Sequence, residues 1–247
     1  MSAFVRCFRA ELVKSRRSAL LAAHLVLPLL FAAVFAAYFR LSAWPVFSKI
    51  SAYPEALAVS LPFLQGLVTA RAVQREQRAG RCQLLLGVLP SRSAAFLGKL
   101  SFLLSALFVA LVLALGAFAL FYPAAPAALY GKILLFLLLT SLPLCVIHLF
   151  TALRFGTGAT LGLSIAGSLL SALMLTGLGD ALWRWIPWAW GVRAVDYLLL
   201  SRLDPPRFEL LRADFSSGTA SCVCMSLCLL LACLLWFRRW DGGKNGQ

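Results

Sequence analysis

Apolar residues run along this chain in long blocks separated by short polar stretches, and the lengths of the blocks carry the first inference. A helical block of about 20 apolar residues matches the hydrocarbon thickness of a bilayer. Such blocks occupy residues 18–39, 100–121, 133–153, 155–178 and 215–237, and a weaker one covers 55–70, interrupted by Pro62, Gln65 and Gly66. The pattern predicts an all-α membrane protein with six transmembrane helices in a single domain over 1–247. Lipid cannot satisfy exposed polar groups, so the weak span is expected either to face protein or a water-filled path, or to be a short span whose Glu55 reaches the outer interface.

The stretches between the blocks have characters of their own. Residues 2–17 place Phe4, Val5, Phe8 and Leu12 on one helical arc and Arg6, Arg9 and Val13 on the other side, as in an amphipathic interfacial helix. The apolar run that follows is too long for a signal-peptide core and lacks a small-residue cleavage site. It contains His24 and Pro28; a histidine there serves either a hydrogen bond to a neighbouring helix or a function at membrane depth. Residues 40–54 read as a polar loop whose Trp44 and Tyr53 suit an interface belt. Residues 71–99 hold a dense run of positive charge. Arg154 and Gly156 form a turn into a span with Gly156, Gly158, Gly162, Ser164, Gly167, Ser168 and Ser171, small residues that let helices approach closely. Residues 179–214 carry Trp183, Trp185, Trp188 and Trp190, with Trp185 and Trp188 as candidates for an outer gate or substrate contact, and Gln65 as a candidate within the membrane.

Composition agrees with the blocks and narrows the function. The chain is 62% hydrophobic and 13% charged with a mean hydropathy of +0.88, which is more apolar surface than a soluble core of this size could hide. Its net charge of +14 would suggest nucleic acid in a soluble protein. Here the cations flank apolar runs and set topology instead, so no nucleic-acid partner is expected. Of the 23 Lys and Arg residues, fifteen fall on one side of six spans and eight on the other, which places both termini and residues 71–99 in the cytoplasm and 179–214 outside the cell. Most of the seven cysteines lie in apolar stretches at no zinc-site spacing, and packing is their expected role, with no metal. Ser164 in Gly-Leu-Ser-Ile-Ala-Gly misses the nucleophile-elbow spacing, and nothing in the sequence pairs it with His148. No catalytic residues are assigned. A secondary transporter would usually place an acid at the midplane, and no Asp or Glu falls inside the apolar blocks beyond Glu55 at the very edge of the weak one.

The segment from Gln74 to Arg92, Gln-Arg-Glu-Gln-Arg-Ala-Gly-Arg-Cys-Gln-Leu-Leu-Leu-Gly-Val-Leu-Pro-Ser-Arg, followed by Leu97-Gly-Lys99, resembles the coupling loop of ABC-2 type permeases. The six-span pattern, the N-terminal helix and the Trp-rich stretch before the last span extend that resemblance over nearly the whole chain. Within the family, Arg-Trp-Ile-Pro-Trp-Ala-Trp-Gly-Val-Arg-Ala before the last span looks most like permeases of lantibiotic-protection transporters, of the MutG kind. The resemblance implies a subunit in the cell membrane that pairs with a second permease or a copy of itself, driven by a cytoplasmic ABC ATPase. It implies a coupling role for Arg75, Glu76, Gly80, Leu84, Leu85, Pro90 and Arg92, with a lantibiotic-like amphipathic peptide as substrate; small hydrophobic drugs and lipid-linked glycans are the family alternatives. The sequence holds no Gly-x4-Gly-Lys-[Ser/Thr] loop, so ATP is expected to be used by the partner and no cofactor is expected to bind directly. Leu84 to Leu86 read as an apolar anchor for that partner, and a basic loop lying on anionic headgroups is the other reading.

Overall fold

A computed structural model of the chain describes residues 2–16, 19–80, 91–123, 125–180 and 182–240. Among these it has seven α-helices, two 3-10 turns (Gly177–Gly179 and Trp183–Trp185) and no strand. The helices are α1 (Ala3–Ser15), α2 (Ala19–Leu41), α3 (Val46–Arg78), α4 (Arg92–Phe121), α5 (Ala127–Leu173), α6 (Pro187–Leu203) and α7 (Pro205–Arg239). Five of them, α2, α3, α4, α5 and α7, are long and apolar enough to cross a bilayer. Their starts follow local chemistry. Ser2 and Ser91 accept from the N–H groups of Val5 and Ala94 at the heads of α1 and α4, and Asp204 accepts from Arg207 before the proline that opens α7.

Two helices begin well before the apolar blocks that announced them. α3 starts at Val46 rather than near Glu55, so the loop read over 40–54 shrinks to the few residues after α2. Its first turns are held from both sides. Lys49 donates to the carbonyls of Phe39 at 2.6 Å and Ser42 at 2.8 Å, capping the end of α2. Tyr53 is fully buried: its hydroxyl donates to the Ala114 carbonyl at 2.8 Å and its ring stacks on Phe118 at 3.9 Å. Tyr53 is therefore a core residue and not an interface anchor, while Trp44 stays half exposed. Because α3 encloses Glu55 and Glu76, the absence of acids from the span applies only between them. α7 likewise starts at Pro205 instead of Phe215; its polar first turns carry the exposed Arg212–Glu209 pair.

α5 merges two of the expected spans. A straight helix of its 47 residues would reach about 70 Å, over twice the hydrocarbon thickness. Gly156 interrupts it with φ 86° and ψ −176°, a conformation open to glycine. The interruption is a reversal, and Gly66 of α3 proves it. A Cβ built on Gly66 would lie 2.7 Å from the Ser164 hydroxyl and 3.5 Å from His148 Nε2. Those residues would be about 24 Å apart along an unbroken helix, so the arm before Gly156 and the arm after it lie side by side against α3. Thr160, Ser164, Gly167 and Ser171 form the buried stripe of the second arm, whereas Gly158 and Gly162 face outward. Pro62 and its neighbour use the same contact, the Phe63 N–H donating to the Ser168 hydroxyl at 3.0 Å.

The core divides between the two ends of the bundle. One cluster gathers Tyr53, Phe118, Tyr130, Trp183 and Trp190, another Val73, Phe96, Leu149, Phe237 and Trp240, and a small third holds Ala72, Phe102 and Leu103. Many leucines and valines on α2, α5 and α7 stay exposed, as suits a surface solvated by lipid. Gly156→Ala would force a side chain into the left-handed φ of the reversal, and a loss of about 1–3 kcal/mol is expected in thermal unfolding of the purified protein in detergent. Gly158→Ala, which meets nothing within 4 Å, should leave stability unchanged or slightly raised.

Candidate functional site

The ends of α3 and α4 frame the stretch that the sequence marked for coupling. α3 stops where the Ala79 N–H bonds back to the Arg75 carbonyl at 2.9 Å, followed by Gly80 at φ 146°. α4 starts at Arg92. Leu84, Leu85 and Pro90, with Cys82, lie outside the described residues. What is described is the base on which that stretch stands.

The base is a closed set of four charges. Lys99 of α4 is only 1% exposed, yet its ammonium donates to Glu11 Oε2 of α1 at 2.7 Å and to Glu76 Oε1 of α3 at 3.1 Å. Lys14 of α1 completes the set at 2.8 Å from Glu76 Oε1 and 3.1 Å from Glu11 Oε1. Each carboxylate sits between two ammonium groups and the formal charges cancel. That arrangement is what makes burial tolerable, since an isolated charge in the same place would keep its full desolvation penalty. Burial alone would lower the pKa of Lys14; the carboxylates of Glu76 and Glu11 more than offset it and hold the ammonium above the ordinary lysine value.

A close helix crossing delivers Glu11 to Lys99. A Cβ on Gly98 would fall 2.6 Å from the Cys7 Cβ and 3.1 Å from the Phe8 nitrogen, so α1 rests almost backbone to backbone on α4. Cys7, Glu11 and Ser15, one turn apart, form the buried face of α1. Val5, Leu12 and Val13 remain exposed. Burial pushes the Cys7 thiol pKa up, which keeps it a packing residue.

The other expected residues separate into distinct roles. Glu76, read from the sequence as part of a charged edge, is buried and bound within the chain. Arg75 lies beside it and donates to the Lys14 carbonyl at 3.4 Å. Arg92 reaches the end of α7, donating to the carbonyls of Arg238 at 3.1 Å and Trp240 at 2.9 Å, where a cation also meets the negative end of the helix dipole. Gly80 is exposed. Gln65 sits far from these groups, buried between α3 and α5, with neither its amide nitrogen nor its oxygen hydrogen-bonded. His148 is also buried and unpaired at both ring nitrogens, beside Ser164, whose hydroxyl donates to the Leu161 carbonyl of its own helix.

The tryptophan segment does not lie on a surface as one unit. Trp183 and Trp190 are core residues: Trp183 donates to Asp214 at 2.9 Å and packs on Gly218, and Trp190 donates to the Arg184 carbonyl at 3.0 Å. Trp188 lies against Gly167 with its indole N–H buried and unpaired. Trp185 alone of the four is turned out, at 66% exposure.

Glu11 and Lys14 were missed by sequence reasoning, and Lys99 was noted only as part of a motif. One signal was available: Glu11 is the only acid before Glu55, and it falls on the same helical line as Cys7 and Ser15. Residues 7–177, well over half of the chain, match the family described as ABC-2 family transporter protein. The matched region contains the four charges, the stretch between α3 and α4, and Gln65; α6 and α7 fall beyond it. No curated protein matches the chain.

Lys99→Met strands Glu11 and Glu76 without their shared buried partner. A loss of about 3–5 kcal/mol is expected in thermal unfolding of the purified protein, against no more than about 0.5 kcal/mol for Ala at the exposed Arg78.

Proposed function

The chain belongs to the ABC-2 family of transporter proteins, and from that premise we propose that it is a cell-membrane exporter subunit whose four-charge base carries motion from a docked cytoplasmic ATPase into the membrane helices. It is a membrane permease of an ABC transporter, the transmembrane subunit and not the ATPase. The observation that carries the proposal is the ion set Glu11, Lys14, Glu76 and Lys99. It ties α1, α3 and α4 together at the point where residues 79–91 leave α3 and enter α4. A displacement of that stretch therefore acts on three helices at once.

In this reading the chain crosses the bilayer six times, the arms of α5 counting separately because of the reversal at Gly156. Both termini, α1 and residues 71–99 face the cytoplasm, in line with the charge asymmetry. α1 lies in the interface with Val5 and Leu12 toward lipid. The permease works with a copy of itself or a second permease, and ATP is bound and hydrolysed by the separate ATPase. Its substrate is an amphipathic molecule, of which a lantibiotic-like peptide expelled for self-protection is the form implied by resemblance.

The ATPase is expected to bury Leu84 and Leu85. Changing both to Asp should reduce recovery of the co-purifying ABC ATPase from detergent-solubilised membranes at least roughly thirtyfold, the equivalent of losing an anchor worth about 2 kcal/mol. Equal recovery with wild type, at matched permease levels, removes docking from this stretch. Orientation has its own check. In a variant retaining Cys82 as its only cysteine, a membrane-impermeant thiol reagent should label inverted vesicles and spare intact cells; the opposite pattern reverses the topology.

A further inference from the structure

A cavity of about 470 Å³ opens between α2, α3 and α4, lined by apolar side chains such as Phe31, Phe35, Leu61 and Leu111. α2 packs mainly on α4 and leaves this space beside α3. At one end, past His24, Leu64, Val68 and Leu107, it adjoins a second cavity of about 30 Å³, and those four residues line both. The small cavity ends on Gln65, Thr69 and Cys145. Its chemistry differs from the groove. Gln65 is 4% exposed and carries two donors and an acceptor with no protein partner, the state that buried amides otherwise avoid. Among the described residues, neither cavity is lined by a Lys, Arg, Asp or Glu. A long apolar space that meets a few convergent polar groups at its deep end has the size and composition of a ligand site.

We infer that the groove and its polar end form a binding site for a single apolar chain ending in an uncharged amide or hydroxyl group, with Gln65 pairing that group. The inference rests on the proposal that this permease moves amphipathic molecules, and it specifies the part of the substrate that is recognised. Three observations select the occupant. A helix from another copy, about 10 Å across, is too broad for a space that narrows to the width of one small group. An ionised headgroup would meet no counter-charge and would keep its desolvation penalty. An ordinary lipid in the bilayer keeps its headgroup at the interface, whereas Gln65 lies six residues, about 9 Å, inside the span from Arg71, where the cytoplasmic stretch begins. The molecule that satisfies Gln65 enters head first. A resident water would fit the small cavity, and it would leave the groove without a role.

The test uses the full chain in nanodiscs without an ATPase. The probe is hexadecanamide bearing a photoreactive diazirine on its chain, and the sites of labelling are read by mass spectrometry. Labelling is expected on groove residues of α2 and α3, with competition by unlabelled hexadecanamide and not by hexadecane. Gln65→Leu should reduce it about tenfold while leaving thermal stability equal or higher, because it removes an unsatisfied buried amide. Ala110→Trp, on the α4 wall of the groove, should block the chain by filling its space and reduce labelling to a similar extent. Labelling unchanged in Gln65→Leu would overturn the inference in favour of a resident water at Gln65. Equal labelling by a hexadecane diazirine would overturn it in favour of ordinary lipid contact. Because binding is measured on the permease alone, a failure here leaves the ATPase coupling standing, and a failed ATPase pull-down leaves this site standing.

Discussion

Three buried charges, Glu11, Glu76 and Lys99, with the half-exposed Lys14 closing the set, stand at one end of the bundle and set the terms for the helices around them. A buried ammonium is tolerated only while its carboxylates stay in place, so Lys99 fixes the distance between Glu11 and Glu76, and with it the spacing of α1 and α3 against α4. Gly98 has to be small for the same reason, since any side chain there would lift α1 and pull Glu11 out of reach. The penalty for partial separation is steep inside a low-dielectric site, and these helices are therefore held to one arrangement or moved as a group.

The opposite end of the molecule repeats this logic around a single acid. Asp214 of α7 accepts from the Trp183 indole, the Tyr197 hydroxyl and the Arg184 guanidinium. Arg193, itself nearly buried, reaches Asp180 at 2.7 Å and the Thr176 carbonyl at 2.8 Å. The aromatic segment thus serves as a cap on the core, and α6 and α7 are joined through it. Between the two charged ends α3 packs against both arms of α5 through small and uncharged polar residues such as Gly66, His148 and Ser164.

Hydropathy made the apolar helices legible because lipid imposes one simple demand on every residue facing it. It could not mark Val46–Pro54 or Pro205–Asp214, since Ser48, Lys49 and Ser51 in the one, and the charged residues of the other, break the apolar run while tertiary contacts and, for α7, the Asp204 cap keep these turns helical. Tyr53, Trp183 and Trp190 resembled interface anchors by type and neighbourhood; each is buried because a specific acceptor, the Ala114 carbonyl, Asp214 or the Arg184 carbonyl, satisfies its polar atom. The candidate site was legible in part. Glu76, Gly98 and Lys99 stood in the quoted motif, but their partner Glu11 is 88 positions from Lys99, and no local spacing links them. His148 and Ser164 were brought together only by the reversal at Gly156, whose conformation, like most backbone reversals, leaves no periodic trace.

Arg92 ties the first residue of α4 to carbonyls at the end of α7, 146 and 148 positions later. In the order of synthesis, the stretch between α3 and α4 emerges early, but the contact that holds the head of α4 beside it is supplied by the last helix, α7. Until α7 is in place, the guanidinium at the head of α4 has no helix end to cap, and the inner cluster lacks Phe237 and Trp240. The surface around that stretch is thus complete only with α7 docked, which makes it a local record that the whole bundle has assembled.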